Sequence, residues 1–246
     1  SRRRKHVRAQ AVTAAVATEK KRAYKERFYP TSEQAELLAQ SFGCARFVWN
    51  NTLAYRTEAY QQRGESVSHS SAEKRLVGLK AEFPWLRDVS SVILQQTLRD
   101  QKAAFDNFFN PKLKARYPRF KRKDCRQSIR LTKAAFRYRD GEITIAKAKT
   151  RLPIRWSRSL PSAPSTITIS RDRAGRYFIS CLCDFVPKAL PVTRKTVGID
   201  LGLSDLFITS DGAKSGNPRH LKRYEAKLAC LQRRLAKKQT GSNNRN

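Results

Sequence analysis

No methionine occurs among the 246 residues. Translation starts on Met, so the sequence reads as a processed, tagged or truncated chain. Cysteine is scarce: Cys44, Cys125, Cys181, Cys183 and Cys230 are the five. An odd number, with no secretion signal, fits a reducing cytosol rather than a disulfide-stapled secreted domain. No CxxC pair is present, which excludes a zinc ribbon within this sequence. No run of about 20 apolar residues exists, which excludes a membrane-spanning helix. Acidic residues are also few, 20 against 52 Lys and Arg, for a net charge of +32.

The distribution of charge says more than its sum. Residues 1–30 carry ten Lys/Arg and two Asp/Glu, net +8, and residues 31–111 carry nine of each. Residues 112–158 carry seventeen against three, net +14, and residues 159–212 six against five, net +1. Residues 213–246 carry ten against one, net +9. Three basic blocks therefore alternate with two near-neutral ones. The neutral blocks read as cores and the basic ones as surface for a polyanion. Nucleic acid is the expected partner, and a membrane surface is not.

Residues 1–22 read as a basic tail, one that could order on RNA. Tyr24 to Tyr29 could be a strand, stopped by Pro30. Thr31 and Gln34 form a capping-box pattern. Leu38, Phe42, Ala45, Trp49, Leu53 and Tyr60 then recur at helical spacing up to about Gln62, with Gly64 as the stop. Ser70 and Glu73 repeat the capping pattern before a short helix that ends at Phe83-Pro84. A third helix starts near Ser90, with Val92, Leu94, Leu98, Phe105 and Phe108 on its apolar face. These elements predict a small helical bundle.

From Pro111 the sequence reads PKLKARYPRFKRK. Lys112, Lys114, Arg116, Arg119, Lys121, Arg122, Lys123 and the nearby Arg126 are candidate phosphate contacts, while Tyr117 and Phe120 could stack on bases. The alternative is a solvated loop anchored by its two aromatics. Strand signals start at Ser128. Phe136 to Ile145 reads as a hairpin turning at Asp140-Gly141. Thr166 to Ser170 and Tyr177 to Phe185 read as another, with Gly175 in its loop. Alternation in the latter places Cys181 and Cys183 on the apolar side, as core thiols rather than metal ligands. The expectation is a small antiparallel β-barrel with basic loops. Pro187 to Pro191 reads as a linker.

Next comes Val197 to Leu203, VGIDLGL. A single carboxylate, Asp200, ends an apolar run, with Gly198 and Gly202 two residues to either side. A buried carboxylate is costly unless paired or metal-bound, and the glycines let an ion or a phosphate come close. Leu206 to Thr209 and the Asp211-Gly212 turn complete a hairpin, expected to be of buried strands with Asp200 at its open edge. Asn217-Pro218 then opens a helix with Tyr224, Leu228, Leu231 and Leu235 at helical spacing, a stripe expected to be buried. Its other face carries Lys222, Arg223, Arg233, Arg234, Lys237 and Lys238 toward phosphates. Nuclease chemistry with two divalent ions needs several clustered carboxylates. Asp200 alone is only the first part of such a site.

Five stretches in order carry a family resemblance: RFYPT (27–31), ARFVWN (45–50), YPRFKRK (117–123), VGIDLGL (197–203) and RRLAKK (233–238). The sequence resembles the TnpB (OrfB) proteins of bacterial insertion sequences, relatives of the type V CRISPR effectors. The resemblance implies an RNA-guided DNA endonuclease of α+β class. In that scheme an antiparallel wedge β-barrel (23–30 and 111–190) is interrupted by a helical recognition bundle (31–110). The start of an RNase H-like, RuvC-type α/β domain (194–246) follows. The wedge and basic regions would hold a guide RNA made from the element's end. Wedge and recognition domains would read a short motif in double-stranded target DNA, with His69 and Gln95 falling where such proteins approach it. Asp200 matches the first RuvC carboxylate, a ligand of catalytic Mg2+. The family's other two catalytic acids and its zinc ribbon lie beyond residue 246, so this chain by itself is expected not to cleave. A bacterial cytoplasmic, nucleoid-associated location follows from the same resemblance.

Three other readings remain open. A nuclease-dead, RNA-guided repressor of the same family would bind without cutting. A plain RNA-binding protein would gain no DNA selectivity from its RNA. An actin- or Hsp70-like ATPase also uses GIDLG in its phosphate loop, but there the motif is usually near the N-terminus and followed by Thr or Ser rather than Leu203.

Overall fold

The computed structural model describes residues 19–187, 195–243 and 245, in two compact units, 1–188 and 189–246. The first unit holds a sheet and three helices around two apolar clusters. β1 (Lys20–Phe28) leads into α1 (Ser32–Arg63), α2 (His69–Glu82), a 3-10 turn at Pro84–Arg87 and α3 (Ser91–Phe109). After the basic loop come β2 (Gln127–Thr132), β3 (Phe136–Arg139), β4 (Glu142–Ile145), β5 (Ile154–Arg155), β6 (Thr166–Arg171) and β7 (Tyr177–Phe185). The second unit holds β8 (Ile199–Asp200), β9 (Ile208–Thr209) and α4 (His220–Ala236).

β1 pairs along its whole length with β7, Lys20 opposite Phe185 and Phe28 opposite Tyr177. The N-terminal strand therefore begins four residues before Tyr24, and Lys20 to Arg22 belong to the sheet rather than to a tail. The rest of the proposed tail, residues 1–18, lies outside the described residues, as do residues 188–191 of the proposed linker. The sheet order is β2-β6-β7-β1-β5, all antiparallel, with β3-β4 as a separate ribbon. Among the described residues the strands do not close into the expected barrel. The ladder ends at β2 on one side and at the two-residue β5 on the other, so the sheet stays open. Short strands with few pairings cannot carry the continuous register that closure requires.

The β6–β7 strands alternate as expected. Ile167, Ile169, Ile179, Cys181 and Cys183 are fully buried, and burial pushes the Cys181 thiol up to about 12. Phe28 joins them from β1, and Ile143 and Ile145 from the ribbon, whose turn has Asp140 and Gly141 at positive φ. Two adjacent positive-φ residues are what a two-residue hairpin turn needs.

α1 begins with the capping box: Gln34 N–H donates to Thr31 Oγ1 at 3.3 Å, and Thr31 N–H donates to Gln34 Oε1 at 3.2 Å. It ends at Gly64 in the left-handed conformation. At 32 residues it is about 48 Å long, and it serves two cores. Leu38, Phe42 and Ala45 pack with the sheet, whereas Cys44 and Val48 pack with Ala72, Leu76, Leu79, Leu94 and Leu98 of α2 and α3. α1 and α3 thus join the sheet's core, with Leu38, Phe42, Ala45 and Ile93, while α2 packs in the second, helical cluster. Tyr60, placed on the apolar face by its spacing, is 69% exposed, because the last turns extend past both cores. The α2 cap is Ser68, whose hydroxyl accepts from Ser71 N–H at 3.1 Å, two residues earlier than the Ser70 expectation. Ser and Thr crowd this segment, so residue type alone offered several caps.

Candidate nucleic-acid interface and catalytic carboxylate

The basic loop 112–126 has no regular structure, yet it is fixed to α1 over its second half. Trp49 Nε1–H donates to the Arg119 carbonyl at 3.0 Å. Asn50 pairs with the Lys121 backbone in both directions, accepting from its N–H at 2.8 Å and donating to its carbonyl at 3.0 Å. Tyr117 shares a hydrogen bond of 3.0 Å with Thr57 and meets Phe105 and Phe108 edge-on. Its ring is therefore an anchor. Phe120 is 58% exposed and forms no ring pair among the described residues, so it is the aromatic of the loop left available for stacking.

The cations of the loop also divide. Lys112, Lys114, Arg116, Arg119, Lys123 and Arg126 are exposed. Arg122 is committed to Asp124 at 2.9 Å. Lys121 is accessible as a residue, but its ammonium lies 4.0 Å from the centre of the Trp49 ring. Burial of that end lowers its pKa, and nearby Asp100 acts in the opposite sense. His69 opens α2 with Nε2 3.3 Å from Glu73 and with Nδ1 buried and unpartnered, while Gln95 stands exposed on α3; no hydrogen bond joins them.

In the second unit β8 and β9 pair antiparallel, with Asp200 opposite Ile208, and a turn at Asp211-Gly212 follows. Ser210 holds the base of the hairpin, its N–H donating to the Gly198 carbonyl at 2.8 Å and its hydroxyl accepting from Gly198 N–H at 3.0 Å. Gly202 allows a close approach: a Cβ there would sit 3.2 Å from the Asp205 carbonyl oxygen, tight enough that the loop would have to give by a few tenths of an ångström. The strands are not buried as expected. Ile199 is 61% exposed, and Asp200 is exposed too. The Tyr224, Leu228, Leu231 and Leu235 stripe of α4 is likewise accessible, and α4 buries no residue. A two-residue ribbon and one helix supply too little surface to cover each other.

The Asp200 carboxylate makes no hydrogen bond or ion pair among the described residues. Asp205 accepts from Gly216 N–H at 3.0 Å, and Asp211 accepts from the Thr209 hydroxyl. No three His, Cys, Asp or Glu side chains gather as a metal site among the described residues. One free carboxylate suits a hydrated Mg2+, which is commonly held by one or two carboxylates with water completing its shell. It does not make a two-metal site. Lys222, Arg223, Arg233 and Arg234 are exposed along α4, and Lys237 and Lys238 are exposed just after it.

Two family models match, a "Helix-turn-helix domain" of OrfB-type insertion-sequence proteins over residues 20–65 and the OrfB "Probable transposase" over residues 180–246. The chain belongs to the TnpB (OrfB) family. It is 46% identical over 230 residues to a "Putative RNA-guided DNA endonuclease" of Streptomyces pristinaespiralis, covering 92% of this chain and 57% of that protein. It is 30% identical over 232 residues to "Putative RNA-guided DNA endonuclease InsQ" of Escherichia coli K12, covering 90% and 55%. It is also 42% identical over 111 residues to "Virulence protein VsdF" of Salmonella dublin, covering 42% of this chain and 93% of that one. The chain thus spans a little over half the length of the two endonuclease-named relatives. A solved CRISPR-Cas12f ternary complex aligns with a TM-score of 0.41 and 14% identity, over 87% of this chain and 55% of that one. Family membership accounts for the order of RFYPT, ARFVWN and GIDLG along the chain.

Among the described residues no helix is long and apolar enough to cross a membrane. Sequence reasoning missed Arg46, Arg171 and Arg173. Arg46 is on α1 and Arg171 and Arg173 lie two residues apart at the end of β6, and only the fold brings the two segments near Lys123.

Proposed function

We propose that the chain is the nucleic-acid-gripping part of an RNA-guided DNA endonuclease of a transposable element, and that it carries the first nuclease carboxylate. The likeness to the Streptomyces protein, over nearly the whole of this chain, carries this reading. The geometry supports it in two ways. The loop at 117–123 is pinned to α1 through the backbone of Arg119 and Lys121, which leaves Arg119 and Lys123 exposed for phosphates. Asp200 is exposed and uncommitted rather than locked in an internal ion pair.

In this proposal the loop and α4 hold a guide RNA, and His69 and Gln95 approach the motif in double-stranded DNA beside the target. Asp200 supplies one oxygen ligand to Mg2+, and bound Mg2+ supplies a stronger nucleophile and stabilises charge at the leaving oxygen. The test is to incubate the complete protein with its RNA, target DNA and Mg2+. The wild type should cut, and Asp200→Ala should bind RNA and DNA without cutting. Bound but uncut DNA with the wild type would establish a repressor instead. Loss of RNA binding in Asp200→Ala would give that residue a structural role.

A further inference from the structure

The end of the basic loop folds into a cleft of about 430 Å3 in the first unit, against α1 and the turn that joins β6 to β7. Four cations line it: Arg46 of α1, Lys123 of the loop, Arg171 ending β6, and Arg173 in the turn. Two acids line it as well, Asp124 and Asp172, and both are already held by arginines outside the lining. Arg122 donates to the two oxygens of Asp124 at 3.2 and 2.9 Å. Arg176 donates to Asp172 through its backbone N–H at 2.8 Å and its guanidinium at 2.7 Å. These bonds hold both carboxyls below the usual carboxylate range.

The four lining cations make no ion pair of their own among the described residues. Arg46 donates to the neutral Gln127 amide at 3.0 Å, Arg171 lies 5.7 Å from the Tyr177 ring centre, and Arg173 reaches the Cys125 sulfur at 3.7 Å. Arg173 also attracts Asp124, but more weakly than Arg122 does. Converging like charges in a concave site repel one another and focus a positive potential outward. A spaced polyanion relieves that repulsion. A stiff duplex presents its phosphates on a convex rod and bends only at a cost, whereas an unpaired strand can enter and follow such a cleft.

We propose that this cleft holds the sugar–phosphate backbone of an unpaired nucleic-acid segment, with Arg46, Lys123, Arg171 and Arg173 contacting its phosphates. The inference rests on the nucleic-acid-binding reading above and names a site within it. The test measures binding of the full chain to an unpaired RNA, an unpaired DNA of the same sequence and a DNA duplex, across a salt series. The variants are the pair Arg171→Gln with Arg173→Gln and, separately, Lys123→Gln. Circular dichroism checks their fold, and the Lys123 side chain makes no hydrogen bond or ion pair among the described residues.

The double variant should flatten the salt dependence on unpaired strands by about 1.4, and Lys123→Gln by about 0.7, at roughly 0.7 per phosphate contact. A loss on RNA alone assigns the cleft to an RNA strand, a loss on DNA alone to a separated DNA strand, and each supports the proposal. Unchanged slopes in both variants, or a loss on duplex alone, overturn it. If the wild type binds none of the three, the broader reading falls as well; if only the variants match the wild type, the cleft alone is wrong.

Discussion

Asn50→Ala separates the shape of the basic surface from its charge. Asn50 exchanges two hydrogen bonds with the backbone of Lys121, 71 residues away in sequence, at 2.8 and 3.0 Å. Alanine removes both and leaves every cation in place. Each such bond contributes about 0.5–1.5 kcal/mol net, and the solvent-exposed setting argues for the lower end, so the loss is about 1–2 kcal/mol. That corresponds to a fall in unfolding temperature of about 2–8 °C for a unit of this size. If RNA binds the loop as Asn50 holds it, ordering a loosened loop costs affinity by up to the same amount, about 5- to 30-fold. The salt slope should not change, because no phosphate contact is lost. Thermal unfolding and RNA titration at several salt concentrations measure all three quantities. Full affinity in a destabilised variant would refute the claim that the loop binds in this conformation. A flatter salt slope would refute the separation of shape from charge.

Two further predictions concern the core. Burial raises Cys44 to about 11 and Cys181 to about 12 from an ordinary value of 9.0, so the folded state keeps these protons longer than the unfolded chain does. Their contribution is whole below pH 9.0 and is lost as the pH rises toward 11 and 12; urea midpoints should fall between pH 8 and pH 10, and an unchanged midpoint would contradict the burial of both thiols. Glu26, 6% exposed, accepts from the Ser157 hydroxyl at 2.8 Å and the Ser157 N–H at 3.2 Å, tying the segment after β5 to β1. Glu26→Ala should destabilise the protein by about 1–3 kcal/mol, read from chemical unfolding, and a neutral result would mean the segment is held by its apolar contacts alone.

Local signals were legible in the sequence. The Thr31–Gln34 capping box, the Gly64 stop and the Asp140-Gly141 turn each depend on a few neighbouring residues, and all three are present. Alternation along β7 likewise put Cys181 and Cys183 in the core. Features set by distant partners were not legible. Spacing could not tell that α1 outruns its cores before Tyr60, nor that β5 would be two residues long and leave the sheet open. Helical periodicity in α4 identified an apolar stripe but not whether anything covers it. Of the candidate site, Asp200 stood out because its glycine-flanked setting is local. The pinning of 117–123 by Trp49, Asn50 and Thr57, and the cleft around Lys123, required the fold.

In the function proposed above, these cationic surfaces hold one particular RNA that directs the protein to DNA. Sequencing the RNA that copurifies with the complete native protein tests it most directly. The expected result is a single dominant species that maps to the end of the element encoding the protein. A random sample of cellular RNA, or none above background, would contradict it.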